Sequence, residues 1–301
     1  GVLTGIKKGF SSFLWMAKIV IPISLLVTLL QWAGWLSRLD FVLNPLTSFI
    51  NLPPEAALTI LTGMFINIYA VIAVITVIPF TVEQMTLIAL FTLIAHSLFI
   101  EGVIQHKSGM NAAKIILIRI AAAVLTVFIV SQFFDNTSQG VIVPASLTTQ
   151  TPFLEVLKSW GLSTMGLLLK IFGIIIGIMT VLGCLNSLGW VEYLIRAFKP
   201  LMRIIGLPER TAMMFVTAVF FGVFYGGAVI VEEAKKGDLT GEELERLHIA
   251  IGINHAMVED PILFAALGIN AFWLLVPRFI MAIIAVQTYR AVNGIKNRLF
   301  H

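Results

Sequence analysis

Eight apolar segments dominate this sequence and restrict what the chain can fold into. They cover residues 13–34, 56–78, 84–106, 112–134, 163–187, 211–231, 247–267 and 270–290. A helix of about 20 apolar residues is long enough to cross the hydrocarbon core of a bilayer. The chain is 58% hydrophobic and 12% charged, whereas soluble domains average about 45–50% and about 25%. We therefore predict an all-α polytopic membrane protein.

The charged residues lie mostly between these segments or at their ends. The net charge of +4 is too small to indicate a nucleic-acid partner, and we interpret it as the excess of Lys and Arg that cytoplasmic loops carry. This pattern predicts cytoplasmic N- and C-termini and a lipid bilayer as the surroundings. The single cysteine, Cys184, excludes an internal disulfide framework and a cysteine-based metal cluster.

The second half of the sequence repeats the first. Histidine, acid, asparagine and arginine recur in the same order, which chance similarity between apolar segments would not produce. We infer an internal duplication, with a first repeat at 1–134, an extracytoplasmic linker at 135–152 and a second repeat at 153–301. The matched pairs include Lys18 and Lys170, Gly34 and Gly189, Pro45 and Pro200, Pro53 and Pro208, His96 and His255, Glu101 and Asp260, Asn111 and Asn270, and Arg119 and Arg278.

Charge also indicates how the two repeats are oriented. If all eight segments cross the membrane, the repeats are parallel and basic residues lie on both faces. If 56–78 and 211–231 instead enter and leave on the same side, the repeats are inverted and most basic residues face the cytoplasm, as the positive-inside rule requires. Each repeat then has three transmembrane helices, one re-entrant hairpin and one amphipathic interfacial helix, at 37–51 and at 191–206. Ordinary crossing helices with packing glycines are the alternative.

Both of the segments predicted to be re-entrant, 56–78 and 211–231, have polar or flexible residues near their middle. The first contains Gly63 and Asn67, and the second contains Gly222 and Tyr225-Gly226-Gly227. Two half-helices of about ten residues reach only the membrane midplane, where non-helical backbone is tolerated if it lines a protein cavity. We therefore expect solute-binding hairpin tips, formed by Asn67, Tyr69, Tyr225, Gly226 and Gly227.

These features together resemble the Gate family of nucleoside-recognition membrane proteins. The resemblance is carried by Leu207-Pro208-Glu209, by Tyr225-Gly226-Gly227 and by the run from His255 to Asp260. It covers nearly the whole chain. The family includes spore-maturation membrane proteins, and it is similar to the membrane part of the bacterial ferrous-iron transporter and, more distantly, to concentrative nucleoside transporters. The resemblance implies a multi-pass protein of a prokaryotic cell membrane. A Gate unit often has a Gly-Asn-Pro-like break, which this chain lacks.

Each repeat places a histidine and an acid inside an apolar segment, where ionisable groups usually have a function. His255 and Glu259 are four residues apart and share one helix face, and Asp260 is rotated about 100° from Glu259 around the helix axis. His96 and Glu101 occupy the matching place in the first repeat. These residues could relay protons, ligate a metal or bind a polar solute, and they could also only lock two helices together. Because cysteine thiolates are missing from both motifs, we predict proton or ion coupling and no metal site.

Arg119 and Arg278 lie about 12 Å into their helices. They could bind an anionic substrate together with Asn254, since arginine pairs well with carboxylates and phosphates. Alternatively, each forms a salt bridge within its own repeat, from Arg119 to Glu101 and from Arg278 to Asp260. If the arginines are already paired, an anionic substrate is disfavoured.

The sequence thus predicts a transporter for a small polar solute, anionic or nucleoside-like and coupled to protons or ions, with its site at the midplane between the repeats. A non-transporting membrane subunit, divalent-metal permeation and, more weakly, an intramembrane zinc enzyme are the alternatives. The expected partners are the small-molecule substrate and either a second copy of the chain or another Gate-family protein. We expect no catalytic activity and no cofactor.

Overall fold

The structure, a computed structural model, describes residues 1–35, 47–134 and 151–299. Most of the predicted interfacial helix at 37–51 and of the predicted linker at 135–152 therefore lies outside the described residues. The described parts are helical and contain no β-strand. Twelve α-helices cover them: α1 Val2–Trp32, α2 Glu55–Phe65, α3 Ile68–Ile75, α4 Val82–Ala95, α5 Leu98–Lys107, α6 Ala112–Ser131, α7 Phe153–Ser187, α8 Val191–Ile205, α9 Ala212–Lys236, α10 Gly241–Asn254, α11 Glu259–Ala265 and α12 Ala271–Leu299.

Within the described residues, five helical segments are long and apolar enough to cross a membrane. They are Val2–Trp32, Val82–Lys107, Ala112–Ser131, Phe153–Ser187 and Ala271–Ile295. The chain is therefore an α-helical polytopic membrane protein. One more predicted transmembrane segment, 247–267, is divided between α10 and α11 by a break after Asn254. It is the counterpart of α4 and α5, which are divided in the same way.

The two halves share their irregular backbone positions. Thr81 and Thr240 each form a capping box, with Gln84 and Glu243 respectively, so α4 and α10 begin in the same way. Positive φ angles also recur at matched positions: 68° at Gly34 and Gly189, 56° and 94° at Asn51 and Gly206, 50° and 48° at Ser97 and Ala256, and 81° and 91° at Gly109 and Gly268. These angles belong to the backbone, so the correspondence between the halves extends beyond their apolar pattern.

Each half contains a tight helical hairpin. In the first half the chain turns at Asn67, whose side chain accepts a hydrogen bond from the Ala70 amide at 3.0 Å and so caps α3. In the second half the turn is at Gly222, with φ 77° and ψ 172°, and it divides α9 into two arms. The predicted tip at Tyr225-Gly226-Gly227 was wrong, because these residues lie in the helical second arm. Only a glycine adopts the backbone angles of Gly222 without strain.

The arms of both hairpins pack closely because a glycine faces the opposite arm. A Cβ atom on Gly226 would lie 2.5 Å from the Cα of Ala218, and one on Gly63 would lie 2.6 Å from a methyl group of Val71. The first contact is with backbone, which cannot rotate away. Gly226 is therefore needed for packing and not for the turn.

Gly226→Ala should force the two arms of α9 apart and lower the free energy of unfolding by about 1–3 kcal/mol, the usual cost of overpacking. Thermal denaturation of the purified protein in detergent would measure the loss. Gly173→Ala is the matched control, because a Cβ atom at Gly173 meets nothing within 4 Å. Equal melting temperatures for the two variants would show that the arms are not in close contact.

The long helices α1 and α7 pack side by side and run antiparallel. The start of α1 lies against the end of α7, where a Cβ atom on Gly5 would be 2.6 Å from Thr180. Further along, the rings of Phe13 and Phe172 are 4.9 Å apart. Small residues allow such close helix contacts in membranes. The long helices at the start of the two halves of the chain thus run in opposite directions.

Helix α8 is amphipathic, as predicted for 191–206. Its buried residues are Met202 and Ile205, whereas Arg196 and Lys199 are exposed. Its position at the membrane surface stays a prediction. The centre of the protein is formed by α4 and α10, whose residues Met85–Ala95 and Leu247–Asn254 are buried.

Candidate functional site

The site begins where α4 and α10 end, because both helices stop at a histidine. His96 and His255 have extended backbone angles, and each is followed by a residue with positive φ, Ser97 or Ala256. The amides freed by these breaks bind the hairpins: Ser97 donates to the Gly63 carbonyl at 3.0 Å and Ala256 to that of Ala218 at 3.1 Å. Each half thus holds its histidine next to its own hairpin.

The two histidines meet at the centre of the protein. Their Nε2 atoms are 3.1 Å apart and their ring centroids 4.7 Å apart. Each Nδ1 atom contacts a main-chain carbonyl oxygen, that of Thr92 at 2.8 Å and that of Ile251 at 3.1 Å. Both residues are buried. The Nε2 atoms are therefore directed at each other, and the carbonyl contacts fix the orientation of both rings.

Arg119 forms a bidentate pair with Glu101. Its guanidinium donates to the two carboxylate oxygens at 2.7 and 3.1 Å, and to the carbonyls of Ile94 and His96 at 2.9 and 3.0 Å. Both side chains are buried. The Oε1 atom of Glu101 also lies 3.4 Å from Nε2 of His255. The first repeat therefore contributes a charge pair that reaches the histidine of the second.

Arg278 has the same main-chain partners but no matching charge pair. It donates to the carbonyls of Ile253 and His255 at 3.1 and 3.0 Å, as Arg119 does at the matched positions. Its Nη1 atom and the Oδ2 atom of Asp260 have no hydrogen-bond partner among the described residues. Aspartate is one methylene shorter than the glutamate at the matched position. Of the two salt bridges that the sequence offered as alternatives to anion binding, Arg119–Glu101 is formed and Arg278–Asp260 is not.

A further contact joins the hairpin of the first half to the second half. The hydroxyl of Tyr69 donates to Oε1 of Glu259 at 2.5 Å. Tyr69 lies at the start of α3 and Glu259 at the start of α11. The ring of Trp15 from α1 meets the edge of the Tyr69 ring at 5.7 Å. The hairpin tip is therefore positioned by both halves.

A cavity of about 540 Å³ lies beside these groups. It is formed between the two hairpin tips, the histidine pair, the start of α11 and one side of α1. A volume of several hundred Å³ is typical of small-molecule sites. The lining residues are Ser11, Ser12, Trp15, Asn67, Ile68, Tyr69, His96, Ser97, Met179, Phe221, Gly222, His255, Ala256, Glu259 and Asp260.

Comparison with known proteins gives a family match over part of the chain. Residues 13–111 match the Gate family model, which is described as nucleoside recognition. This chain is a membrane protein with similarity to the Gate family over these residues. It is similar to the uncharacterized membrane protein YvoD of Bacillus subtilis (strain 168), with 28% identity over 286 residues that cover 94% of this chain and 91% of YvoD. No solved structure gives a significant match to this chain.

The structure brings together most of the residues predicted for the site. Asn67, Tyr69, His96, His255, Glu259 and Asp260 all line the cavity. Glu101, Arg119 and Arg278 lie behind the histidines and are buried. Whether these residues bind a solute or couple its movement stays a prediction.

Three other predicted residues do not line the cavity, and the side chain of a fourth is not among the described residues. Gly226 and Gly227 pack against Ala218 and Ile104. Asn254 is fully buried, and its side-chain amide has no hydrogen-bond partner in the described part of the chain. The side chain of Tyr225 lies outside the described residues, although its backbone is helical.

The prediction missed the contribution of α1 and α7. Ser12 and Trp15 of α1 and Met179 of α7 line the cavity, and Gly222 replaces Tyr225 at the second tip. Two adjacent serines inside an apolar segment, Ser11 and Ser12, were the signal that could have identified this wall.

Proposed function

We propose that this chain is a transporter of the Gate family whose two repeats have inverted topology and whose central cavity holds the solute. The observation that carries the proposal is the cavity itself, which touches both hairpin tips and both buried histidines. Discontinuous helices that meet at the midplane beside a cavity are the usual design of transporters built from inverted repeats.

The helix directions and lengths support the inverted, re-entrant arrangement. The equivalent helices α1 and α7 run antiparallel, as inversion requires. The 11 residues of α2 extend about 16 Å at 1.5 Å per residue, close to half of the roughly 30 Å hydrocarbon core. A hairpin of this size reaches the midplane and returns. The positive-inside pattern of the sequence agrees with this arrangement.

The charges around the cavity favour a cationic or neutral solute over the anionic one expected from the sequence. Glu259 and Asp260 line the cavity, whereas among the described lining residues none is a lysine or arginine. Arg119 is neutralised by Glu101, and Arg278 is directed at main-chain carbonyls behind the histidines. An anion would therefore enter a cavity lined by carboxylates.

A cysteine-accessibility experiment tests transport without knowledge of the solute. Ser12→Cys, in a Cys184→Ser background, places one thiol on the cavity wall. We expect a charged, membrane-impermeant maleimide to label it in both right-side-out and inside-out vesicles, because a transporter opens its site to each side in turn. Leu169→Cys is the control, since Leu169 is 65% exposed in the middle of α7 and should face lipid, where the reagent does not reach it.

Labelling of Ser12→Cys from one side only would contradict alternating access. The non-transporting membrane subunit would then be the better interpretation, with the buried His and acid groups acting as locks between helices. Labelling of Leu169→Cys to the same extent would show that α7 borders water and that the membrane arrangement proposed here is wrong.

A further inference from the structure

The histidine pair has a feature that transport of a polar solute does not by itself explain. Each Nδ1 atom contacts a carbonyl oxygen, which can only accept, so each Nδ1 carries the proton. In a neutral imidazole the other nitrogen is then an acceptor. Two such Nε2 atoms face each other at 3.1 Å. Two lone pairs at this distance repel unless a positive charge lies between or beside them.

A carboxylate completes the arrangement. Oδ2 of Asp260 is 3.7 Å from Nε2 of His96, is buried and has no hydrogen-bond partner within the described residues. Asp260 is 5% exposed and lines the cavity. Three electron-pair donors therefore converge, with all their ligand atoms within 4.8 Å of one another. Each comes from a helix break or from the helix that follows it.

We propose that Nε2 of His96, Nε2 of His255 and a carboxylate oxygen of Asp260 bind a divalent first-row transition-metal ion. This inference deepens the proposed function, on which it rests, by naming the class of solute. It replaces the sequence-based expectation of no metal site. That expectation was made without the knowledge that the two histidines lie next to each other.

The geometry fits such an ion. With metal–nitrogen distances of about 2.0–2.1 Å, the Nε2 separation of 3.1 Å gives a nitrogen–metal–nitrogen angle of about 100°. In a tetrahedral site two ligand atoms lie about 3.3–3.4 Å apart. The carboxylate oxygen of Asp260 is 3.7 Å from Nε2 of His96 and within 4.8 Å of the other ligand atom, so it has to move by at most about 1.5 Å. The Nδ1–carbonyl contacts are those that usually orient metal-binding histidines.

The donor set also selects the metal class. Imidazole and carboxylate ligands suit zinc, cobalt, nickel, manganese and ferrous ions, whereas magnesium and calcium prefer oxygen ligands alone. Three protein ligands leave at least one coordination position open to the cavity. An ion held this way is able to exchange, unlike one in a closed structural site of four protein ligands.

Cobalt(II) binding to the purified full-length chain in detergent tests the proposal. Equilibrium dialysis gives the stoichiometry, and visible d–d absorption reports nitrogen and oxygen coordination. We expect one ion per chain, competition by zinc chloride and none by magnesium chloride. His255→Ala and Asp260→Asn should weaken binding by at least the roughly 10–100-fold that is lost when only a partner behind a metal ligand is removed.

Two controls keep the result interpretable. His106→Ala removes an exposed histidine and should leave cobalt binding unchanged. Asp260→Asn preserves the size of the side chain, so a monodisperse variant with an unchanged melting temperature reports ligand loss and not misfolding. Absence of stoichiometric binding, or binding that survives both His255→Ala and Asp260→Asn, would overturn the metal site.

The two proposals fail separately. Labelling of Ser12→Cys from both sides without cobalt binding would leave a transporter of another solute and remove the metal. Cobalt binding with one-sided labelling would establish the metal site and remove transport.

Discussion

Replacement of Arg119 by methionine is expected to lower the free energy of unfolding by about 3–5 kcal/mol, because removal of one partner leaves a buried charge uncompensated. Glu101 is 2% exposed and would lose both of its guanidinium hydrogen bonds. The carbonyls of Ile94 and His96 would lose their donors as well. Denaturation of the purified protein in detergent, followed by circular dichroism, would measure the loss.

Two further variants isolate the cause. Arg203→Met removes an ion pair with Glu209 in which the arginine side chain is 78% exposed, and it should change stability little because exposed pairs contribute little. Adding Glu101→Leu to Arg119→Met should restore much of the lost stability, since a buried pair can often be replaced by apolar residues. If Arg119→Met is no less stable than Arg203→Met, the buried pair does not hold the centre of the protein.

Asp260→Glu is expected to make the protein more stable and to abolish cobalt binding. The longer side chain should reach Nη1 of Arg278, as Glu101 reaches Nη1 of Arg119 at the matched position. A hydrogen bond to a charged group contributes about 1.5–3 kcal/mol, and the bond would satisfy an atom that now has no partner in the described structure. The carboxylate would then be withdrawn from the histidines.

The converse variant is the matched control. Glu101→Asp should open the Arg119 pair and lower stability, so the two substitutions should shift the melting temperature in opposite directions. Cobalt titration of both variants would measure the expected loss of cobalt binding in Asp260→Glu. A stabilised Asp260→Glu that still binds cobalt with unchanged affinity would show that Asp260 is not a ligand, and a destabilised one would show that its side chain does not reach Arg278.

The sequence was sufficient for the features that depend on local pattern. Apolar length indicated the membrane class, and the recurrence of His96, Glu101 and Arg119 as His255, Asp260 and Arg278 identified the residues at the centre. The position of the second turn was not accessible in this way. Gly222 and Gly226 are the same residue type four positions apart, yet one has a positive φ and the other allows contact with Ala218. Only packing separates these two uses of glycine.

Contacts between the halves could not be predicted either. Tyr69 and Glu259 are 190 positions apart in the sequence, and the two histidines, which also meet, are 159 positions apart. Such contacts depend on how two separately patterned halves pack, which no periodicity within either half reveals. The duplication even suggested two equal charge pairs. The difference of one methylene between Glu101 and Asp260 decides that only one of them forms.

Each hairpin is tied to the helix break of its own half through main-chain hydrogen bonds, from Ser97 to Gly63 and from Ala256 to Ala218. The contacts that cross between the halves at the cavity are made by side chains instead. Within each half the hairpin and the break are thus joined by main-chain bonds, whereas side chains alone make these contacts between the halves at the cavity. Because main-chain bonds do not depend on residue identity, substitutions at these side chains can change the lining of the cavity while the main-chain frame stays the same.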